Sequence, residues 1–356
     1  MARILYLGDS APSSTSGHRA NALARLGHTV DICDPYKAFR PQLQSRWFGP
    51  IHFRTGYRLL NGKVVRWLKE TVNTQPKPDF VWVNSGELFG PESLTVLKGL
   101  LCPIILYNND DPTGGRDGRR FDSLISALKF YDLCAVMREM NVAEFEEKGA
   151  KHVIRVFMSY DEDVHRPYSD PTDIPEKFRS DVAFIGTWMR FEKRDEFLLT
   201  LVQQGINVSI WGDRWEKSPH FDTLKKFWRG PALRGRDYVA ALQGAKICLG
   251  LLSKGNRDLH TQRTLETPFA GGLLCAERTS EHQQLYKEGV EAVFWSDANE
   301  CAKVCKQLLG DDNVRENIRS AGMHRVRANK VGNEDACRTI LKTVMEHRNV
   351  LQSQSR

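Results

Sequence analysis

The residue types best suited to chemistry fall in four short stretches of this 356-residue chain. The richest runs from Gly255 through Asn256, Asp258, His260, Thr261, Arg263 and Glu266 to Gly271-Gly272. With Thr261 as N-cap, Arg263 and Glu266 lie three apart on one helical face near the helix start. A carboxylate there can hold two vicinal ribose hydroxyls by bidentate hydrogen bonds, and an arginine beside it can hold phosphate. The same pair also reads as a plain helix ion pair worth about 0.3–0.5 kcal/mol.

In a second stretch, Phe184-Ile185-Gly186-Thr187-Trp188-Met189-Arg190 leads into Lys193-Arg194. A strand, a glycine turn and three cations at a helix start suit a diphosphate, whose charge they can neutralise without a metal. A solvated helix face is the plainer alternative. Near the N-terminus, Gly8-Asp9-Ser10 and a run of small hydroxyl residues precede Gly17-His18-Arg19. Such a loop lets backbone N–H groups approach an anion at a helix N-terminus. Neither Gly-x-Gly-x-x-Gly nor a P-loop is present, and a surface turn with a serine cap fits the same residues. Lastly, Asn108-Asn109-Asp110-Asp111-Pro112 follows an apolar run. Asp110 or Asp111 is placed to accept a proton from an attacking hydroxyl, or else forms an Asp-Pro turn capping the next helix.

These stretches sit between alternating strand-like and helix-like segments. Strands are expected at Ile4–Leu7, Thr29–Cys33, Phe80–Val83, Pro103–Tyr107 and Leu133–Val136. Helices are expected at Gly17–Leu26, Tyr57–Thr71, Glu92–Leu100 and Phe121–Phe130. That order implies an α/β fold, a parallel sheet covered by helices on both faces. Prolines 167, 171 and 175 then mark a linker, taken as 161–180 between domains 1–160 and 181–334. The pattern restarts with strands at Asp181–Ile185, Asn207–Trp211, Lys246–Leu251, Gly272–Cys275 and Ala292–Trp295. Two or three consecutive helices close the chain from Val314 to about Val350. Ligands of such doubly wound sheets bind at the carboxyl ends of the strands, where all four stretches fall.

The segment from Asp258 to about Arg325 resembles the glycosyl-transferases-group-1 family, in particular its spore-maturation-protein (CgeB-type) branch. The likeness runs through His260-Thr-Gln-Arg-Thr-Leu-Glu266, Gly271-Gly272, Glu277, Tyr286-Lys-Glu-Gly289 and Glu291-Ala-Val-Phe294. It extends more loosely back through Tyr238 and Trp211-Gly212-Asp213 to Phe184-Ile-Gly186. The resemblance implies a GT-B glycosyltransferase, two Rossmann-like doubly wound domains facing a cleft, with a C-terminal helical tail (335–356) crossing back to the first domain. It implies that the first domain binds a hydroxyl acceptor and the second a nucleoside-diphosphate sugar, a co-substrate, with no cofactor and no metal. Glu266 would hold the ribose. Arg263 with Arg190, Lys193 or Arg194 would hold the diphosphate, and Gly186, Gly212 and Thr261 would shape the donor site. Many relatives carry two acids with seven residues between them, as Asp258 and Glu266 stand here. Here Asp258 replaces the usual first Glu, so its sugar contact could pass to His260 or Asn256. The usual Arg after the first glycine is Thr187. The loop Gly8–His18, with Gly17, would close on the donor. The spacing of the acids leans toward retention; Asp110 or Asp111 is the candidate base if the reaction inverts, and His18 is a further catalytic candidate.

The net charge is +7, from 51 Lys+Arg against 44 Asp+Glu. Between Lys37 and Lys69 stand eight basic residues and no acid, interleaved with Phe39, Trp47, Phe48, Phe53, Tyr57 and Trp67. Such a surface suits anionic headgroups or an anionic, lipid-linked acceptor in cell-surface glycan or glycolipid synthesis; a solvated face over buried aromatics fits the same residues. No nucleic-acid module matches, so nucleic acid is not an expected partner. No signal peptide or membrane-spanning run is read, and eight scattered cysteines argue for a reducing, cytoplasmic setting without a zinc site. A nucleotide-sugar epimerase, or a basic binding protein for nucleic acid or anionic glycans, would also fit this architecture.

Overall fold

The computed structural model describes residues 1–354, with side chains through His347. Contacts divide the chain into two units, Met1–Phe157 together with the segment from Asn333, and Met158–Gly332. Each is built on one six-stranded parallel sheet.

In the first unit the strands are β1 (Arg3–Leu7), β2 (Thr29–Cys33), β3 (Phe80–Asn84), β4 (Ile104–Asn108), β5 (Leu133–Val136) and β6 (Val153–Arg155), in the order β2-β1-β3-β4-β5-β6. Central strands β3 and β4 are buried along their whole length, whereas the edge strands β2 and β6 are only partly covered. This is why the central runs are continuously apolar, for helices cover both faces of a parallel sheet. The five anticipated strands all form. β6 escapes a reading by periodicity because three half-buried residues carry no pattern.

The helices depart more from expectation. The first starts at Thr15, two residues before Gly17, because the Ser14 side chain accepts from the Gly17 N–H and caps it there. Between 35 and 54 three short helices, Pro35–Ala38, Arg40–Leu43 and Phe48–Arg54, occupy a region with no helical period. The expected helix from Tyr57 begins at Asn61 after a 3-10 turn, and an additional helix spans Glu139–Glu147. The last helix, Asn333–Gln354, belongs to this first unit and packs on Thr15–Arg25, where Arg25 Nε meets Glu334 Oε1 at 2.6 Å.

The second unit carries β7 (Ser180–Ile185), β8 (Val208–Trp211), β9 (Trp228–Gly230), β10 (Ala245–Gly250), β11 (Leu274–Glu277) and β12 (Val293–Trp295), in the order β12-β11-β10-β7-β8-β9. β9 is a partly exposed three-residue edge strand with a register irregularity against β8, again too short to read. In each sheet the order reverses beside the first strand, between β1 and β3 and between β7 and β10. The carboxyl ends of these strand pairs are the topological switch points at which such sheets take ligands.

Candidate functional site

At the switch point of the second unit, the loop after β7 meets the loop after β10. Glu192 stitches them, accepting from Ser253 Oγ at 3.1 Å and from the Lys254 N–H at 2.8 Å. Arg194 adds a second link by donating to the carbonyls of Thr187 (3.0 Å) and Leu252 (3.3 Å). Gly186 and Gly212 are back to back, and a Cβ on Gly212 (φ +149°) would sit 2.1 Å from the Gly186 oxygen. Only glycine allows that approach.

Beyond these loops lies the helix Gln262–Phe269, with Thr261 as its N-cap in a reciprocal box with Thr264. The helix presents the Glu266 carboxylate, buried, to Tyr238, whose hydroxyl donates to Oε2 at 2.5 Å. Oε1 lies 3.6 Å from Nε2 of His165. His165 accepts the Asp161 N–H at Nδ1, so its proton sits on Nε2, facing the carboxylate. Arg263, one helical turn earlier, has a buried Nε with no hydrogen-bond partner among the described residues. A buried guanidinium nitrogen without a partner is costly unless something anionic meets it.

Two buried histidines hold this helix in place. Nε2 of His260 accepts the Met158 N–H at 3.0 Å and its Nδ1 side faces the Glu281 carboxylate, so both ring nitrogens are engaged. His282 donates from Nδ1 to the Glu277 carbonyl (2.6 Å) and meets the Thr264 hydroxyl at Nε2 (2.9 Å). Burial pushes the His282 pKa down to about 4. A histidine whose folded pKa lies below its unfolded value keeps its full contribution above about pH 6.5 and loses it as the pH falls toward the folded value. Stability is therefore expected to drop by about 1.4 kcal/mol per pH unit from this group between pH 6.5 and 4. Urea midpoints at pH 7 and 5 test this. His282→Asn should flatten the difference, and an equal slope in the variant would remove His282 as its source.

Arg190 and Lys193 belong to the same loop after β7. With Arg214 and Lys217 they line a cavity of about 620 Å³ beside Trp188. Lys193 stands in left-handed backbone (φ +53°) as N-cap of the helix Arg194–Gln203. Asp258 is buried just before the Thr261 cap.

In the first unit, Asp111 is buried and accepts from Asn141 Nδ2 at 2.9 Å, while the Asp110 carboxylate lies 3.8 Å from Arg120 Nη2. His18 is buried with Nε2 3.0 Å from the Pro12 oxygen. Gly8 lies against Tyr6, Ser16 and Asn84, and Gly17 against the Ala11 oxygen. Beneath the loop Arg19 is buried, its guanidinium 3.5 Å from the Tyr107 ring centroid and 2.6 Å from Asn84 Oδ1.

Three partners at these sites carry no local signal. Tyr238 is 28 positions before Glu266, His165 falls within the proposed linker, and Glu192 acts from a loop. The thiols of Cys275, Cys301 and Cys305 also lie within 4.8 Å of one another, buried in the apolar core. Cys301 and Cys305 stand four apart on the helix Ala298–Leu309 and Cys275 lies on β11, a strand expected from the sequence; what the sequence does not show is the packing of that helix on the sheet, which brings the three thiols together.

A glycosyl transferase-like family model matches residues 193–339. No curated protein matches the chain by sequence. Among solved structures, sucrose-phosphate synthase from Thermosynechococcus elongatus superposes with a TM-score of 0.71 at 14% identity, covering 99% of this chain and 100% of that one. HepE from Anabaena, in complex with UDP, gives 0.65 at 12% identity over 98% and 100%. α,α-Trehalose 6-phosphate synthase from Burkholderia multivorans gives 0.64 at 13% identity over 99% and 98%. The chain thus has the two-sheet α/β fold of the GT-B glycosyltransferases, and the stretch that matches the glycosyl transferase-like model, 193–339, contains Arg263 and Glu266.

Proposed function

We propose that this protein is a glycosyltransferase that moves a sugar from a nucleoside-diphosphate sugar to a hydroxyl acceptor. The observation that carries the reading is the Arg263–Glu266 pair. A buried carboxylate is oriented by Tyr238, one helical turn from a guanidinium whose buried Nε has no partner among the described residues, at the switch point of a doubly wound sheet. Glu266 would take the ribose hydroxyls and Arg263 the diphosphate, with cationic side chains rather than a metal stabilising the leaving group. HepE was solved with UDP and with UDP-glucose, which favours a uridine nucleotide here. Within the group-1 family, the Arg263/Glu266 pair favours the spore-maturation-protein branch. In the first unit Asp110 is the better-placed base for an inverting reaction, because an Asp111 oxygen is already taken by Asn141.

The test is a thermal-shift panel of UDP, GDP, dTDP and ADP on the full chain, followed by transfer assays with the sugar nucleotide of whichever base responds. Stabilisation by one nucleoside diphosphate, with sugar found on an acceptor, is the expected result. No response to any of the four would sink the reading, and isomerised donor without transfer would redirect it to an epimerase.

The basic segment extends this reading to a peripheral site at an anionic membrane face. Trp47 is 75% exposed, Phe48 60% and Leu59 65%, with Arg46 and Arg58 next to them in the chain. Among the described residues no helix is long and apolar enough to cross a membrane. Each basic residue near an anionic surface contributes about 1 kcal/mol, and exposed Trp and Phe side chains add insertion. Flotation with phosphatidylglycerol vesicles should recover the wild type but not a Trp47→Ser/Phe48→Ser variant. Equal recovery with neutral phosphatidylcholine would refute it.

A further inference from the structure

The first unit contains a cavity of about 600 Å³ that none of the residues assigned so far explains. Its lining includes Tyr36, Phe53, Arg54, Tyr57 and Glu87. Tyr36 and Glu87 follow the carboxyl ends of β2 and β3, strands that flank β1 on either side of the switch point. The remaining wall is the short helix Phe48–Arg54. It closes on the helix Arg40–Leu43 at Gly49, where a Cβ would stand 2.5 Å from the Leu43 oxygen.

Two lining residues depend on backbone that side chains rarely adopt. Tyr57, a bulky aromatic, is left-handed at φ +59°, and Ser85, at φ +68°, sets the turn that delivers Glu87. Left-handed backbone at a non-glycine residue is unfavourable and persists where the surroundings enforce it, commonly at ligand sites. Tyr36, Phe53 and Tyr57 supply aromatic surface, and a buried carboxylate stands among them, which is the usual make-up of a small-molecule site. The Glu87 charge is balanced by Arg120, whose Nη2 lies 2.5 Å and Nε 2.6 Å from Oε2. Arg54 is exposed and has no acidic partner among the described residues, so its charge is the unbalanced one.

We infer that this cavity binds an acidic saccharide, with a pyranose ring against Phe53 and Tyr57, hydroxyls near Tyr36 and Glu87, and the anionic substituent on Arg54. The inference rests on the transferase reading, for which it names the class of acceptor and the place that holds it.

Binding of glucose, glucose 6-phosphate and glucuronic acid to the full chain, measured by saturation-transfer NMR and calorimetry with the stabilising nucleoside diphosphate present, tests it. The two acidic sugars should bind about ten-fold more tightly than glucose, the usual margin of a charge-assisted hydrogen bond. Arg54→Ala should erase that preference. Phe53→Ala should weaken binding of the acidic sugars about five-fold, as expected for a lost ring contact. Arg54 is exposed, so Arg54→Ala should melt at the wild-type value and serve as the fold control; Phe53 is 37% exposed with its ring 5.4 Å from the Arg120 guanidinium, so Phe53→Ala should melt a few degrees lower, and its binding is measured well below that transition. Equal binding of neutral and acidic sugars, acidic-sugar binding unchanged in both variants, or no binding of any of the three overturns the assignment. The nucleotide panel separates this from the wider reading. A nucleotide response with sugar binding indifferent to Arg54 rejects the cavity alone. Arg54-dependent sugar binding without any nucleotide response rejects the transferase alone.

Discussion

Glu266→Gln is expected to abolish nucleotide stabilisation and to lower sugar transfer by about a hundred- to a thousand-fold, while leaving the fold intact. The carboxylate is the only acidic acceptor we assign to the ribose. Each hydrogen bond to a charged group contributes about 1.5–3 kcal/mol, so losing two at the lower end of that span, about 3–4 kcal/mol together, accounts for that range. Gln keeps an oxygen for the Tyr238 hydroxyl, which otherwise would be buried without an acceptor. Glu266→Ala removes that oxygen too, and should cost about 1–3 kcal/mol of stability in addition. A ligand at a hundred times its Kd stabilises the wild type by about 2.7 kcal/mol, so a lost response is readily seen in a melting curve. A Glu266→Gln protein that still melts higher with nucleotide would remove Glu266 from the donor site. Tyr238→Phe should act differently, raising KM for the donor more than it lowers kcat, because Tyr238 orients the carboxylate rather than touching the sugar.

The largest effect on stability is expected at Arg120. Glu87 is buried, and burial raises its pKa, an effect that the Arg120 charge and its hydrogen bonds partly oppose. Arg120→Ala strands that carboxylate. Breaking one side of a buried pair costs about 3–5 kcal/mol, which in a domain of this size corresponds to a fall in melting temperature of about 10 °C. Replacing both partners by apolar residues, Arg120→Met with Glu87→Leu, should recover most of the loss, because the stranded charge disappears. The pH dependence has a definite sign. A carboxyl whose folded pKa lies above its unfolded value loses stability as the pH rises past the unfolded value, near 4.3. The deficit of Arg120→Ala should therefore be small in acid and grow toward neutrality. A deficit independent of pH would mean that Glu87 is not the group left unpaired.

Much of the fold was legible in the residues because burial on both faces writes itself into a parallel strand. Phe80–Val83 and Ile104–Tyr107 are apolar without interruption, and the structure places them at the centre of their sheet. The helix Gln262–Phe269 was legible for a second reason, since its cap and its glycine terminus are both local signals. The three short helices from Pro35 to Arg54 were not, because four to seven residues complete at most two turns and cannot establish a period. The partly exposed three-residue strands β6 and β9 fail for the same reason, whereas β12, equally short but fully buried, was legible as an apolar run.

The candidate site divides along the same line. Arg263 and Glu266 could be paired from spacing alone, because one helix fixes residues three apart on one face. That Glu266 meets Tyr238 and His165 depends on how separate segments fold together, which no spacing encodes. The same holds for Glu87 and Arg120, 33 positions apart, and for the meeting of Cys275 with Cys301 and Cys305. Sequence by itself determined the layered α/β class, the helix that carries the Arg–Glu pair and the concentration of basic charge between Lys37 and Lys69. Tertiary structure alone decided which of those groups are buried, which are paired, and that Arg54 lines a cavity beside an already neutralised carboxylate. The physical reason is one of range. Periodicity and capping act over a few residues of contiguous chain, whereas desolvation and charge pairing depend on whatever the fold brings within a few ångströms.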